Sequence, residues 1–303
     1  MSGGTFLILR SAAGVIMRWL VAALTLALAS PAWAQVDHTW VSTTGADENY
    51  ACTVQFPCAT LQRAHDALTT SSGAISVLTP GEYGPLAITK AVSVDNDSGG
   101  VALMIPANGG ACVTVNVDKG LQVHLRGLTC EGLYANNIGI EIDSAQAVYV
   151  ERCSIRNLGL TTAGGIGILL QPTSGTTQLF VSDTDIFNVG SLTQTGGIFV
   201  RSNGGNAVAV LDRVRLQDDV LGLWVDGSAA SAVVRNSLIS GNSSYGALVS
   251  GGALTLDNVA IVNNQVGLYG GPNDTVATLK NNTIIGNGTN VAGGITPVSV
   301  TPF

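Results

Sequence analysis

Charge, basic residues and aromatic rings are all scarce in this sequence. Only 11 % of its 303 residues are charged, 5 % are aromatic, and lysine occurs three times. With a formal net charge of -7 the chain has no basic surface of the kind phosphate backbones need, which excludes nucleic acid as a partner. So little charge also leaves little material for the polar faces of long amphipathic helices. Beyond the amino terminus no apolar run is long enough to span a bilayer, and no C-x-x-C pair occurs.

What is abundant points one way. Glycine, at 38 residues, is well above its usual share, and 46 % apolar residues supply core material and argue against disorder. Many tight turns and few helices make an all-β composition. A length of 303 residues allows two domains, but a periodic chain of this size forms one continuous body.

Residues 1–34 read as an export signal. Met17-Arg18 precede an apolar run from Trp19 to Ala29, followed by Ala32-Trp33-Ala34, a small-x-small cleavage pattern. Because Met17 opens a complete signal of its own, residues 1–16 read as an upstream extension. Cleavage before Gln35 leaves 11 basic against 20 acidic residues, a net of -9. The expected product is exported, periplasmic or secreted, and carries no membrane span once the signal is removed.

Five cysteines in an exported chain cannot all pair internally, so at least one stays free or bridges to another molecule. Cys52 and Cys58 enclose the short loop Thr-Val-Gln-Phe-Pro and are the predicted disulfide, pinning the amino-terminal segment. Cys112, Cys130 and Cys153 lie 18 and 23 residues apart without a histidine beside them. They read as buried small hydrophobes rather than a metal site.

From residue 125 the chain repeats itself: LRGLTCEG (125–132), VERCSIRN (150–157), VSDTDIFN (181–188), LDRVRLQD (211–218), VRNSLISG (234–241), LDNVAIVN (256–263) and LKNNTIIG (279–286), at spacings of 25, 31, 30, 23, 22 and 23 residues. The first letter is always Leu or Val, and the sixth runs Cys130, Ile155, Ile186, Leu216, Ile239, Ile261, Ile284, an inward column. The third runs Gly127, Arg152, Asp183, Arg213, Asn236, Asn258, Asn281. Its Gly and Asn tolerate φ > 0, so this column marks a bend between two short strands. The second letters, Arg126, Glu151, Ser182, Asp212, Arg235, Asp257 and Lys280, form a ladder of mixed sign that suits a solubilising face. Between the repeats fall GIEID (139–143), GILLQ (167–171), GIFVR (197–201), GLWVD (222–226), GALVS (246–250) and GLYGG (267–271), a third strand entered through Gly. Three strands per turn, stacked ~4.8 Å apart, make a solenoid in which no coil is stable alone.

With these repeats the chain resembles the right-handed parallel β-helix proteins of the pectin lyase-like superfamily. The resemblance covers 75–303 and implies a single-stranded right-handed parallel β-helix with a short amino-terminal capping helix. Residues 35–74 read as the cap: Thr60 precedes Leu61, Ala64 and Leu68 on one helical face, which would cover the first coil. Pro80-Gly81-Glu82-Tyr83-Gly84 with Leu86 and Ile88 reads as the first strand-turn-strand, as in many members of that superfamily. At the other end Pro297 and Pro302 would discourage end-to-end strand pairing.

The outward letters of the Gly-entered strand are the candidate site. Its third positions include Glu141, Phe199, Trp224 and Tyr269, and its fifth positions Asp143, Gln171, Arg201 and Asp226. Rings in a row can stack on sugar faces while flanking polar groups take hydroxyls or carboxyls, so the expected ligand is a polysaccharide or surface glycan. The same stripe reads equally as a packing surface, and Arg201 with Asp226 as an inter-coil ion pair. The resemblance also implies polysaccharide lyases, often Ca²⁺-dependent, or glycosidases with paired carboxylates. Asp218-Asp219 is faintly similar to the paired Asp of polygalacturonases, and Arg201 and Asp226 complete the catalytic candidates. Yet N-T-D, G-H-G and R-I-K are missing, and His38, His65 and His124 lie outside the cleft coils, so no catalytic residue carries over. No metal site is assigned, Ca²⁺ being the one cation the resemblance raises. A non-catalytic surface scaffold that self-associates is the remaining alternative.

Overall fold

The computed structural model describes Met1 and residues 36–96, 98–107, 109–132, 137–159, 164–279 and 281–300. The predicted signal, the second-position Lys280 and Pro302 therefore lie outside the described residues, apart from Met1.

Each coil contributes three strands, as in Asn206–Asp212, Arg215–Gln217 and Leu221–Asp226. The first joins sheet one, the second sheet two, and the third, Gly-entered strand joins sheet three. Among the described residues the three sheets have 11, 9 and 9 strands. Successive coils pair in parallel with the repeats in register: Leu211↔Val234, Leu216↔Ile239, Leu223↔Ala247. The chain is a parallel β-helix.

The sixth-letter column expected to point inward is core as far as Ile261, with Ile284 half-buried at its end, and the first letters are buried as well as far as Leu256. Cys130, Ile155, Ile186, Leu216, Ile239 and Ile261 are buried in sheet two, and Leu125, Val150, Val181, Leu211, Val234 and Leu256 in sheet one. From Gly127 to Asn258 the bend column has the left-handed backbone that its Gly and Asn foretold, from φ 50° at Asp183 and Asn236 to 71° at Gly127. A second left-handed column, Asn157, Asn188, Asp218, Gly241, Asn263 and Gly286, closes sheet two. Glycine, Asn and Asp relieve the strain at most of these turns, whereas Arg152 and Arg213 hold the left-handed backbone at φ 51° and 54° without that relief.

The Gly entering sheet three answers a different need. A Cβ on Gly139, Gly167, Gly197, Gly222 or Gly246 would lie 2.3, 2.5, 2.5, 2.5 or 2.7 Å from the carbonyl oxygen of the equivalent glycine one coil on. Backbone packs on backbone there, and only hydrogen fits.

At the amino-terminal end, strand His38–Val41 pairs with Ser72–Val77 and becomes the edge of sheet one, so this segment extends the solenoid as well as covering it. Helix α1, Leu61–Ala67, starts at Thr60, whose Oγ1 accepts from the Arg63 N–H at 3.1 Å. It packs on strands His38–Val41, Ser72–Val77 and Leu86–Ile88. The buried His65 accepts the Thr89 N–H at Nε2, 3.3 Å, and burial holds its pKa below the usual value. Cys52–Cys58 is bonded as expected. Cys112 and Cys130, read as small hydrophobes, are instead a second disulfide with Cα atoms 6.0 Å apart. Its two half-cystines sit on strands Ala111–Asn116 and Leu128–Glu131 of sheets three and two. Cys153 is free and buried, and burial pushes its thiol up to about 11.

Gly222→Ala should destabilise the chain by about 1–3 kcal/mol, the cost of overpacking. Gly120→Ala, where a Cβ meets nothing within 4 Å, should leave the urea midpoint unchanged. Equal midpoints for the two variants would contradict the close-approach account.

Candidate functional site

Sheet three brings the expected outward residues together. Leu169, Phe199, Trp224, Leu248 and Tyr269 are vertical neighbours, and Phe199 meets Trp224 edge-to-face at 5.2 Å. The open aromatic track does not exist, however. Phe199 is 1 % and Trp224 8 % exposed, and with Leu169 and Leu221 they form a second apolar cluster on the outside of the sheet, with Ile138, Ile166, Val220, Tyr245 and Leu248 packed against it. Rings with no free face cannot stack on a sugar, so here the packing reading prevails. Tyr269, half-buried, leans edge-on against Tyr245.

The fifth-position residues are tied into the same structure. Trp224 Nε1 donates to Ser250 Oγ at 2.8 Å, Ser250 Oγ donates to Asp226 Oδ1 at 2.8 Å, and Arg201 Nε donates to Asp226 Oδ2 at 2.9 Å. The Arg201 guanidinium lies 4.9 Å from the Trp224 ring centroid. Each polar group in this chain is occupied by the next, as in the inter-coil ion pair expected of it. Further along, Gln171 Nε2 donates to Glu141 Oε1 at 3.0 Å and Asp143 Oδ1 at 3.3 Å. Burial, then the Asp143 charge, raises the Glu141 carboxyl above its usual range. Among the described residues no group of three His, Cys, Asp or Glu side chains could hold a metal ion.

Asp218 and Asp219 do not act as a pair of carboxylates sharing a substrate. Asp218 occupies the left-handed turn at φ 57°, and Asp219 is 2 % exposed inside the coil, its Oδ1 accepting the Val189 N–H at 2.9 Å.

An open polar groove lies elsewhere, along the bend between sheets one and two. A cavity of about 580 Å³ is lined by Asp183, Arg213, Asn236, Asn258 and Asn281 of the bend column. Asp185, Arg215, Leu238, Ala260 and Thr283 of sheet two, with Val214, Ser237 and Val259 between, complete the lining. Arg213 grips Asp183 through Nε and Nη2 at 2.7 and 2.9 Å and also bonds Asp212; Arg215 grips Asp185 through the same two nitrogens at 2.6 Å each. The hydrogen bond from Arg213 holds the Asp183 carboxyl below its usual range, while the bonds to Asp183 and Asp185 raise the two guanidinium groups further. Beyond them Asn258 Nδ2 donates to Asn236 Oδ1 at 2.9 Å, and Asn281 Oδ1 accepts the Asn258 N–H at 3.1 Å. The third letters of the repeat, read only as bend residues, thus also form a hydrogen-bonding wall, and the fifth letters beside them supply the second row. A separate stack on sheet one, His124 on Tyr149 at 4.4 Å and Tyr149 on Phe180 at 4.9 Å, arises from the residue just before each repeat.

No protein family and no curated protein matches the chain. Among solved structures it is similar to "Geobacillus virus E2 - ORF18", with a TM-score of 0.42 and 10 % identity over 92 % of this chain. The chain spans 63 % of the length of that protein.

Truncating Trp224 to Ala should lower stability by about 3–5 kcal/mol, as for other buried aromatic residues. Urea unfolding measures it, and a loss under 1 kcal/mol on the same scale would show that the ring is not part of a packed cluster.

Proposed function

We propose that this parallel β-helix is an exported protein that binds a polysaccharide or surface glycan along the bend groove, and that the glycan is uncharged. The groove carries the reading: one open cavity of about 580 Å³ that crosses successive coils and is walled by side chains that both donate and accept hydrogen bonds. Coils stacked ~4.8 Å apart repeat those groups at a spacing close to the advance of one sugar ring along an extended chain. Leu238 and Ala260, both half-buried, supply apolar surface for the C–H faces of the rings.

The charge arrangement selects the ligand class. Asp183 and Asp185 neutralise Arg213 and Arg215, and the other lining side chains are uncharged, so the lining has no net charge. A uronate would have to displace a carboxylate already bound in a forked geometry. A hydroxyl need not, because a guanidinium has five N–H donors and the internal bonds engage three at Arg213 and two at Arg215. Export is consistent with two disulfides and with the absence, among the described residues, of any helix long and apolar enough to cross a membrane.

Titration against neutral and uronate oligosaccharides at two salt concentrations tests this. Neutral chains should bind with little salt dependence, and Arg213→Ala with Arg215→Ala should weaken them by about tenfold or more, the loss of charge-assisted hydrogen bonds. A preference for uronates that fades steeply with salt would overturn the uncharged class alone. Absence of binding to either class would overturn the groove reading.

A further inference from the structure

Inside the solenoid, where sheet two turns toward sheet three, a column of amides runs through the short coils. Asn264 Oδ1 accepts both the N–H and the Nδ2 of Asn242, at 3.0 and 2.8 Å, and Asn287 Oδ1 accepts the same two groups of Asn264, both at 2.9 Å. Each Nδ2 also donates to a carbonyl one coil back: Asn242 to Leu216 at 3.4 Å, Asn264 to Ile239 at 3.2 Å, Asn287 to Ile261 at 3.0 Å. The rung before Asn242 is Asp219. Its N–H donates to Asn242 Oδ1 at 3.0 Å, and its Oδ1 accepts the Val189 N–H, as an asparagine's would.

Its other oxygen is the exception. Asp219 Oδ2 is buried and has no hydrogen-bond partner. It occupies the place that Nδ2 has on the other rungs. A Cβ built on Gly197 would lie 2.9 Å from it, just as one on Gly222, Gly246 or Gly267 would lie 2.9, 2.8 or 2.7 Å from the Nδ2 of Asn242, Asn264 or Asn287. In the ladder's pattern that place faces acceptors: the Oδ1 of the next rung, here Asn242, and a carbonyl one coil back, which the register Ile186↔Leu216 assigns to Ile186. A carboxylate oxygen there would face two acceptors without a hydrogen between them.

We infer that Asp219 is a protonated rung of this ladder, its Oδ2–H donating where the asparagines donate through Nδ2. The groups that meet it are uncharged, coming from Val189, Gly197 and Asn242. Asp218 is the titratable neighbour, and its charge adds to burial in raising the Asp219 carboxyl well above its usual range. The folded state therefore holds a proton that the unfolded chain releases above a pKa of ~3.9. Folding stability from this rung is fully present below that value and is lost as pH rises toward the folded-state pKa, giving the middle of the solenoid an alkaline-sensitive joint.

Urea unfolding of the full chain and of Asp219→Asn between about pH 5 and pH 9 tests the inference through the difference between the two, in which other titrations cancel. The folding constant of the original chain should fall relative to D219N by up to tenfold per pH unit within the window, one proton's worth. D219N, with its amide ladder complete, should be the more stable of the two at the alkaline end. Infrared spectra at neutral pH should show a protonated-carboxyl band that D219N lacks, a readout independent of whether the variant folds well. Parallel pH profiles, or no such band in the original chain, would overturn it.

Discussion

Vertical register is the constraint on which the remaining features depend. Stacking brings residues 19 to 36 positions apart in the chain to within one strand spacing of each other, as the equivalences Ser72↔Ala91 and His38↔Ala74 show at the two extremes. Sheet three can stack this closely because its entry position has no Cβ: even a methyl group there would intrude on the next coil's carbonyl. Once register is set, an outward side chain must be compatible with whatever stands above and below it. Like charges in direct superposition would repel, and the charged columns accordingly pair opposite signs: Asp183 with Arg213, Asp185 with Arg215, Arg201 with Asp226, Asp212 with Arg235. Part of the charge pairing is thus a requirement of stacking, whatever the surface binds.

The same logic orders the polar interior. A turn buried between sheets leaves backbone N–H groups that water cannot reach, and in the coils of 22 and 23 residues there is little turn to spare for satisfying them. Asn242, Asn264 and Asn287 meet that need by placing an oxygen on the N–H of the rung before. In the longer coils the corresponding positions are Leu158 and Val189, both buried, and the ladder ends where the chain changes from one coil length to the other. Asp219 stands at that boundary, accepting from Val189 on one side and donating its N–H to Asn242 on the other.

Features governed by period were legible in the sequence. The sixth-letter hydrophobes, the left-handed third letters, the Gly-entered strand, the Thr60-capped helix and the Cys52–Cys58 loop each follow from spacing or from local chemistry. Features governed by what lies across a surface were not. Alternation along GLWVD sets the side of the strand that Trp224 occupies, but its exposure depends on Val220 and on Leu221 and Tyr245, which stack in register just before the entering Gly and whose packing onto the ring alternation alone does not show. Pairing of Cys112 with Cys130 depends on strands from two different sheets meeting across the interior. The inner ladder escaped because it begins one letter beyond the eight that align most clearly, and the groove because the third letters, on their Gly and Asn, read as a bend alone and not as what Asp183 and Arg213 form beside it.

The contrast between the two polar networks bears on where a ligand could act. Around Trp224 the indole N–H, the Ser250 hydroxyl and the Asp226 carboxylate are bonded in series to Arg201 Nε, and the rings that would have offered apolar contact are sealed. A ligand there would first have to break a chain of bonds that also holds the aromatic cluster in place. Along the bend, the ion pairs are exposed at the surface, the asparagine side chains keep unused hydrogen-bonding capacity, and Leu238 and Ala260 are half-buried beside them. Under the proposed glycan reading, binding replaces water at groups that are already oriented by the coils beneath them, so little ordering is demanded of the protein when the sugar arrives.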